Sequence, residues 1–360
     1  MRSIKSVVIS WTLWGLAYYL YSPYLTVFLK TIIKEDFIGF LYIISTLVGL
    51  VYSVVPLFTK RVKEITIVSL IISGIGLILL SISNNALTAI LSLILYSMYW
   101  VSVPIFYLLM NDEVAKIWAI SMLPAIIIPF FDDSVILTLG IRSIFLIAGV
   151  IMALTALPLI NVDIRGMGGS YDDDDERSNN LSFIILTILP LSVSLPYLYV
   201  DMPLKLIPIV YVIGESIGIL MALFLSKIRN GLSLALLGFS LISLNTVIPY
   251  GAMFYGISEA LTALGVDKVR IKNLKDSVKV TILEVLTWLI GYAIATVLFI
   301  ISPILPSIYA SLLAILFALL LLFTIPAILR INFICIRKGE NIITPRLRVT
   351  EGIFPYFKFA

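Results

Sequence analysis

The sequence predicts an all-α polytopic membrane protein with twelve transmembrane helices in two six-helix bundles. Three observations predict this class: the overall composition, a series of apolar runs, and the placement of basic residues between them. The 360 residues are 61% hydrophobic and only 13% charged, whereas a soluble domain carries about 25% charged residues. So few charges cannot cover a surface that faces water, and we expect most of the chain to lie in lipid.

Twelve apolar runs alternate with short polar breaks. A helix needs about 20 apolar residues to cross the hydrocarbon core of a bilayer. The fifth run is short, and the breaks after the ninth and eleventh runs are marked by little more than Pro249 and Pro303. The predicted spans are residues 7–29, 37–59, 65–82, 86–110, 117–131, 142–162, 182–200, 205–226, 231–247, 249–266, 277–300 and 304–330.

The basic residues orient these spans. Cytoplasmic loops of membrane proteins carry an excess of lysine and arginine. With the N-terminus in the cytoplasm, 21 of the 25 basic residues fall in predicted cytoplasmic segments, and only Lys30, Lys34, Arg142 and Lys205 fall outside. We therefore expect a multi-pass protein of the cell membrane with both termini in the cytoplasm.

An acidic segment divides the chain. It comprises residues 163–181 and includes the run Asp172–Glu176, between a first bundle at residues 1–162 and a second at 182–330. The carboxylates could bind a divalent cation, but they lack the ligand spacing of a calcium loop, and a solvated linker is the simpler interpretation. Residues 331–360 are predicted to be a cytoplasmic tail, either disordered or bound to anionic lipid through its basic and aromatic side chains.

Six spans, a polar linker and six more spans resemble the major facilitator superfamily. In that family the loop after span 2 carries a G-x-L-x-D-R-x-G-R-R motif, and the matching stretch here, residues 55–64, reads VPLFTKRVKE. The leucine and most of the basic character remain, while both glycines and the aspartate are lost. The start of span 6, residues 139–149, and the basic loop between spans 10 and 11 also look like the family.

The resemblance implies a function for several parts of the chain. Spans 1, 2, 4, 5, 7, 8, 10 and 11 would face a central cavity, and spans 3, 6, 9 and 12 would support them. The loop after span 2 would form a charge lock, which makes Lys60, Arg61 and Lys63 candidate gating residues; the missing aspartate removes one partner of that lock. The glycine-rich signature of antiporters is absent from span 5, where residues 121–125 read SMLPA.

Three carboxylates lie well inside predicted spans, namely Glu215, Glu259 and Glu284. At 1.5 Å per residue, Glu215 and Glu259 lie roughly 10–16 Å from either end of their helices, and Glu284 about 10 Å from the cytoplasmic end. A charge inside the membrane is costly and marks a candidate functional site. All three belong to spans that the resemblance assigns to the cavity. Glu215 ranks first because it is nearest mid-span, beside two glycines that allow close helix packing.

Aromatic residues accompany these acids at helical spacing. Residues four apart share a helix face, and carboxylates beside aromatic rings suit an organic cation or a ring-bearing solute. Spans 1 and 4 carry further aromatic stripes, so we predict an aromatic wall facing an acidic wall from spans 8, 10 and 11. Tyrosine and tryptophan are also common at membrane interfaces, and that interpretation stays open. The candidate aromatic residues are Tyr211, Tyr255, Trp288, Tyr292, Trp14, Tyr18, Tyr96 and Trp100.

Together these features predict a secondary active transporter of a small solute that works by alternating access. Protons are candidate coupling ions, carried by the carboxylates because the chain has no histidine. The chain has no phosphate-binding loop, so we do not expect it to hydrolyse ATP. An alternative function is a transport-fold sensor or partner subunit. An intramembrane enzyme is a weaker alternative, because there is no histidine and no H-E-x-x-H motif, although Glu215 and Glu259 could meet as a carboxylate pair. We expect a monomer in contact with membrane lipid, with no cofactor, no metal and no nucleic-acid partner.

Overall fold

A computed structural model describes residues 2–110, 114–162, 181–198, 200, 202–226, 228, 231–244 and 255–337. The acidic linker with Asp172–Glu176 and the last part of the predicted tail, residues 338–360, lie outside these described residues. So does the predicted break between spans 9 and 10. The side chains of Tyr255 and Glu259 are likewise not described, although both residues lie within a helix.

Helices joined by short turns and loops make up most of the described chain. Short 3-10 turns join or extend several helices, as at Glu35–Phe37, Val55–Phe58, Ser97–Val101, Leu157–Asn161 and Leu195–Tyr197. The α-helices, in chain order, are α1 Arg2–Lys30, α2 Ile38–Ser53, α3 Val62–Ser81, α4 Ala86–Tyr96, α5 Val103–Met110, α6 Val114–Ser121, α7 Pro124–Leu139, α8 Ile141–Leu154, α9 Ser182–Ser194, α10 Ile207–Leu225, α11 Gly231–Ser243, α12 Tyr255–Asp267, α13 Leu274–Ile301 and α14 Leu305–Arg337.

The predicted all-α membrane class is confirmed for the described residues. Seven segments among them are long and apolar enough to cross a bilayer, and three shorter helices are also apolar. Many large apolar side chains point outward, for example Phe58, Leu137 and Ile301. A water-soluble monomer rarely exposes so much apolar surface, so lipid is its natural solvent. The count of twelve spans stays a prediction.

The fifth and the last predicted spans differ from the observed helices. The fifth span, predicted at residues 117–131, is instead two consecutive helices, α6 and α7, which together run from Val114 to Leu139. Pro124 stands in the first turn of α7, where its missing N–H is tolerated, and it cannot donate to the preceding turn. The last helix continues to Arg337, beyond the end predicted at residue 330.

Span 4 is broken in the middle, and the break shapes the interior. Helix α4 ends at Tyr96, a 3-10 turn covers Ser97–Val101, and α5 starts at Val103. Pro104 lacks the N–H that would bond the carbonyl one turn earlier and its ring crowds that carbonyl, which breaks the helix at this point. The turn keeps Tyr96, Trp100 and Tyr107 on the side of the span that faces the interior.

Most of the packing contacts lie within one half of the chain. In the N-terminal half of the chain, α3 packs against α8 and α4, and α1 packs against α8. In the C-terminal half, α13 packs against α9, α11 against α14, and α10 against α12. Contacts between the halves run mainly through five pairs: α2 with α13, α7 with α10, α6 with α12, α5 with α13, and α6 with α10. The interior cavity lies between these pairs.

Candidate functional site

A central cavity of about 200 Å³ is enclosed between the two halves of the chain. Its lining comes from α1, α2 and the α4–α6 region on one side, and from α9, α12 and α13 on the other. Along α1 the lining extends from Trp11 to Leu29, a length of about 27 Å at 1.5 Å per residue. A cavity of this size suits a small solute.

The α1 wall of the cavity is a ladder of stacked rings, formed by Trp11, Trp14 and Tyr18. Trp11 and Trp14 stack with ring centroids 4.8 Å apart and planes 10° from parallel. Trp14 and Tyr18 stack at 5.2 Å and 7°. The ladder forms because residues three or four apart lie on one helix face. It gives the cavity a flat aromatic surface.

The indole N–H groups of Trp11 and Trp14 have no hydrogen-bond acceptor among the described residues. Both residues line the cavity. A buried donor without an acceptor costs about 1–3 kcal/mol, so these two groups are available to an oxygen of a bound solute or to water.

A second aromatic wall comes from α4 and α5. Tyr96, Tyr99 and Trp100 contact one another, with centroids 5.0 Å apart for the tyrosine pair and 4.9 Å for Tyr99 and Trp100. The Tyr96 hydroxyl is hydrogen bonded to that of Tyr21 on α1, which ties the two walls together. Tyr99 also contacts Trp14, with centroids 5.9 Å apart.

Helix α13 supplies the acid of the cavity. Glu284, Trp288 and Tyr292 lie four residues apart on the face that lines it. The Tyr107 hydroxyl donates a hydrogen bond of 2.8 Å to Glu284 Oε2, and the carboxyl group is buried, with only 4% of the residue exposed. Among the described lining residues Glu284 is the one charged side chain. The described lining is therefore aromatic, with Glu284 as its one acidic side chain.

At one end of the cavity, α2 meets α13 at Gly39. A Cβ added to Gly39 would lie 2.9 Å from Thr296 Cβ and 2.5 Å from the Tyr197 hydroxyl. Nearby, the Thr26 hydroxyl donates to the Pro196 carbonyl at 3.0 Å. We call this contact between the halves, made by Gly39, Thr296 and Tyr197, the Gly39 contact.

At the other end, α5 and α6 meet α13 and α12. The Ser277 hydroxyl donates to the Pro104 carbonyl at 2.5 Å. Asp267, the last residue of α12, accepts from the Ala115 backbone N–H in the first turn of α6, at 3.4 Å. Both bonds join the N-terminal half to the C-terminal half, so the cavity is bounded by cross-half contacts at each end.

The residues predicted for the site divide into three groups. The largest lines the cavity and comprises Glu284, Trp288, Tyr292, Trp14, Tyr18, Tyr96 and Trp100. Glu215 and Tyr211 are fully buried on α10 but do not belong to this lining; the Tyr211 hydroxyl is 3.2 Å from Ser22 Oγ on α1. The side chains of Tyr255 and Glu259 are outside the described part of the chain. The roles assigned to all of these residues stay predictions.

The predicted gating loop lies at the surface. Lys60 and Arg61 are exposed and Lys63 is half-buried, just before and within the first turn of α3. The preceding turn, Val55–Phe58, packs against α13. The loop therefore stands beside the helix that carries Glu284.

Seven aromatic lining residues are not among the candidates predicted from the sequence: Trp11, Tyr19, Tyr21, Tyr42, Tyr99, Tyr107 and Trp118. Tyr42 on α2 contacts Tyr292 on α13, with centroids 5.2 Å apart, and it has no acidic neighbour that would have drawn attention to it. Trp118 belongs to the short fifth span. Its one signal was the four-residue spacing to Met122, which also lines the cavity.

The fold is similar to that of solved major facilitator superfamily transporters. The human organic anion transporter MFSD10 (TETRAN) superposes with a TM-score of 0.59 at 13% identity, over 89% of this chain and 99% of that chain. The transporter FucP in its outward conformation gives 0.60 at 14% identity, over 88% and 98%. The E. coli fucose:proton symporter FucP gives 0.59 at 15% identity, again over 88% and 98%.

The sequence itself matches no protein-family model and no curated protein. At such low identity the likeness establishes the fold, and a fold alone does not fix a cargo. The predicted resemblance to the superfamily is confirmed at the level of the fold.

Proposed function

We propose that this chain is a secondary active transporter of a small organic cation that carries a ring, working by alternating access in the cell membrane. The main support for the proposal is the lining of the cavity between the halves. Glu284 is the one charged group among the described lining residues, and aromatic rings form much of the wall. The fold, shared with major facilitator transporters, supplies the mechanical frame.

The charge of the cavity favours a cation. An ionised carboxylate attracts a positive group, and the described lining contains no lysine or arginine to compensate it. An organic anion would meet repulsion from Glu284 and would find no basic partner among the described lining residues. An organic anion, the cargo named for the similar human transporter, therefore fits this lining less well than an organic cation does.

The walls favour a ring. A cation over an aromatic face gains about 0.5–2 kcal/mol, depending on how far it is desolvated. The stacked ladder of Trp11, Trp14 and Tyr18 offers a flat surface in the cavity that Glu284 also lines. The unpartnered indole N–H groups of Trp11 and Trp14 add two donors for an oxygen on the solute.

Coupling to protons follows from the same carboxyl group. A proton and an organic cation compete for Glu284, so loading of one favours release of the other. Ligand binding changes the relative stability of the two open states by the difference in its affinity for them. Cross-half contacts at both ends of the cavity fit a cycle in which the Gly39 contact and the α5–α13 contact open in turn.

We propose the membrane arrangement on the same basis: twelve spans in two six-helix bundles related by an axis along the membrane normal, with both termini and the linker in the cytoplasm. The placement of basic residues supports it. Single cysteines at Ser170 and Asn84, in a chain whose one native cysteine is removed by Cys335→Ser, should react with impermeant reagents from opposite sides of the membrane. Reaction of both from the same side contradicts the topology.

Binding can be followed with the protein's own fluorescence. The chain has five tryptophans, and all of them line the cavity: Trp11, Trp14, Trp100, Trp118 and Trp288. We expect phenyltrimethylammonium to change the emission of the purified protein saturably, because the ring enters among these indoles. Benzenesulfonate, a ring of opposite charge, serves as the matched control and should give no saturable change.

The outcome separates the candidate functions. Saturation by the anion and not by the cation would contradict the proposed cargo class. Saturable cation binding without any uptake into liposomes would favour the alternative, a transport-fold sensor or partner subunit.

A further inference from the structure

We propose that Tyr107 couples occupancy of Glu284 to opening of the cavity at its α5–α13 end, by competing with the cargo for the carboxylate. The proposal deepens the proposed function and rests on it. Tyr107 is a positioning residue in this account, because it acts on the cargo through Glu284.

The hydrogen bond of Tyr107 joins the N-terminal half of the chain to the C-terminal half. Tyr107 lies on α5 in the N-terminal half and Glu284 on α13 in the C-terminal half, and their side chains are joined by the buried 2.8 Å hydrogen bond. Both residues line the cavity. This bond therefore connects the two halves at the acid that the cargo is expected to use.

The same pair of helices has a second link that does not involve the acid. The Ser277 hydroxyl on α13 donates to the Pro104 carbonyl, close to the start of α5. The α5–α13 contact thus combines one bond that depends on the charge of Glu284 and one that does not. This difference makes the role of Tyr107 separable by experiment.

The charge of the carboxylate determines the strength of the Tyr107 bond. A hydrogen bond to an ionised acceptor is roughly twice as strong as a neutral one. In the empty cavity the ionised Glu284 holds Tyr107, and α5 stays against α13. A bound cation interacts with the same carboxylate oxygens and weakens the hydrogen bond from Tyr107. The α5–α13 contact therefore opens more readily when cargo is present.

This arrangement prevents the cavity from opening at its α5–α13 end when no cargo is bound. Without cargo, opening at this end would leave the buried carboxylate without the Tyr107 donor, which is costly. With cargo, the positive charge of the cation stabilises the carboxylate in place of the lost hydrogen bond. Cargo binding and opening of the α5–α13 end are thereby linked through one side chain.

Three variants test the inference. Tyr107→Phe removes the hydroxyl and keeps the ring, Ser277→Ala breaks the charge-independent bond of the same helix pair, and Glu284→Gln removes the charge. Affinity for phenyltrimethylammonium is measured by tryptophan fluorescence, and accumulation of the labelled cation is measured in liposomes with an imposed gradient. The double variant Tyr107→Phe/Glu284→Gln completes a double-mutant cycle, which measures the interaction energy between the two side chains.

We expect Tyr107→Phe to tighten cation binding by roughly 10- to 150-fold, the value of one hydrogen bond to a charged group, because a competitor for the carboxylate is gone. Accumulation against a gradient should fall at least tenfold at the same time, because the α5–α13 end opens without cargo. Ser277→Ala should leave the Kd unchanged within twofold. In the Glu284→Gln background, Tyr107→Phe should have no further effect on the Kd.

Other results would overturn the inference. If Tyr107→Phe weakens binding and lowers thermal stability together, or if Ser277→Ala changes the Kd as much, the residue is structural. If Tyr107→Phe binds more tightly and still accumulates the cation as the native chain does, the coupling role is wrong. Failure of the native protein to bind the cation at all would instead contradict the proposed function.

Discussion

Replacing Glu284 by glutamine should abolish concentrative cation uptake into liposomes, because it removes the one charge found on the described cavity lining. Glutamine keeps the size of the side chain and can still accept from the Tyr107 hydroxyl. Losing a hydrogen bond or close contact to a charged group costs about 1.5–3 kcal/mol, which raises the Kd of the cation roughly 10- to 150-fold. Tryptophan fluorescence and uptake of phenyltrimethylammonium measure the two effects.

A matched control uses an acid away from the cavity. Glu35 forms an ion pair with Lys30, and both side chains are more than one third exposed. Exposed ion pairs contribute about 0–1 kcal/mol, so Glu35→Gln should preserve both binding and uptake. If Glu284→Gln also binds and transports the cation like the native protein, Glu284 is a structural acid and the proposed cargo class is wrong.

Replacing Gly39 by valine should block transport while leaving cation binding measurable. The space around Gly39 is filled by Thr296 and Tyr197 from the other half of the chain, with no room even for a Cβ. A larger side chain must separate α2 from α13, so the Gly39 contact cannot close. A transporter that cannot close one end cannot complete alternating access, and we expect net uptake to fall more than tenfold.

The matched control for Gly39 is a glycine that packs within one half. A Cβ on Gly74 of α3 would lie 2.5 Å from the Gly149 carbonyl of α8, so Gly74→Val crowds two helices that are not expected to separate. It should lower the thermal stability and the yield of folded protein, whereas Gly39→Val should bind the cation with a Kd near the native one. Native transport rates in Gly39→Val would contradict the gating role of the Gly39 contact.

The parts of the site that the sequence predicted are those that depend on local helix geometry. The spacing of Trp14 and Tyr18 on α1, and of Glu284, Trp288 and Tyr292 on α13, places each set on one helix face whatever the tertiary structure. The resemblance then assigned those helices to a central cavity, and the observed lining includes all five residues.

The parts that were not predicted depend on contacts between distant segments. The sequence ranked Glu215 first for its mid-span depth, but depth does not determine which way a side chain points, and Glu215 is fully buried on α10 outside the cavity lining. The bond from Tyr107 to Glu284 joins residues 177 positions apart, and the approach of Tyr42 to Tyr292 is equally non-local. Neither pairing leaves a periodic signal in the chain.

Hydropathy also could not predict where helices end within an apolar run. The apolar character of span 4 continues through the break at Ser97–Val101, so the run was predicted as one helix from residue 86 to 110. The backbone chemistry of Pro104, rather than polarity, causes the interruption. Pro124, the first residue of α7, likewise separates α6 from α7 within the apolar run that was predicted as one span.

Uptake of radiolabelled phenyltrimethylammonium by liposomes that contain only the purified native protein tests the proposed cation transport. We expect saturable accumulation that is driven by an outwardly directed proton gradient, abolished by dissipating that gradient, and unaffected by excess benzenesulfonate. Accumulation no greater than in protein-free liposomes, or accumulation that benzenesulfonate abolishes by competition, would contradict a cation transporter built around Glu284.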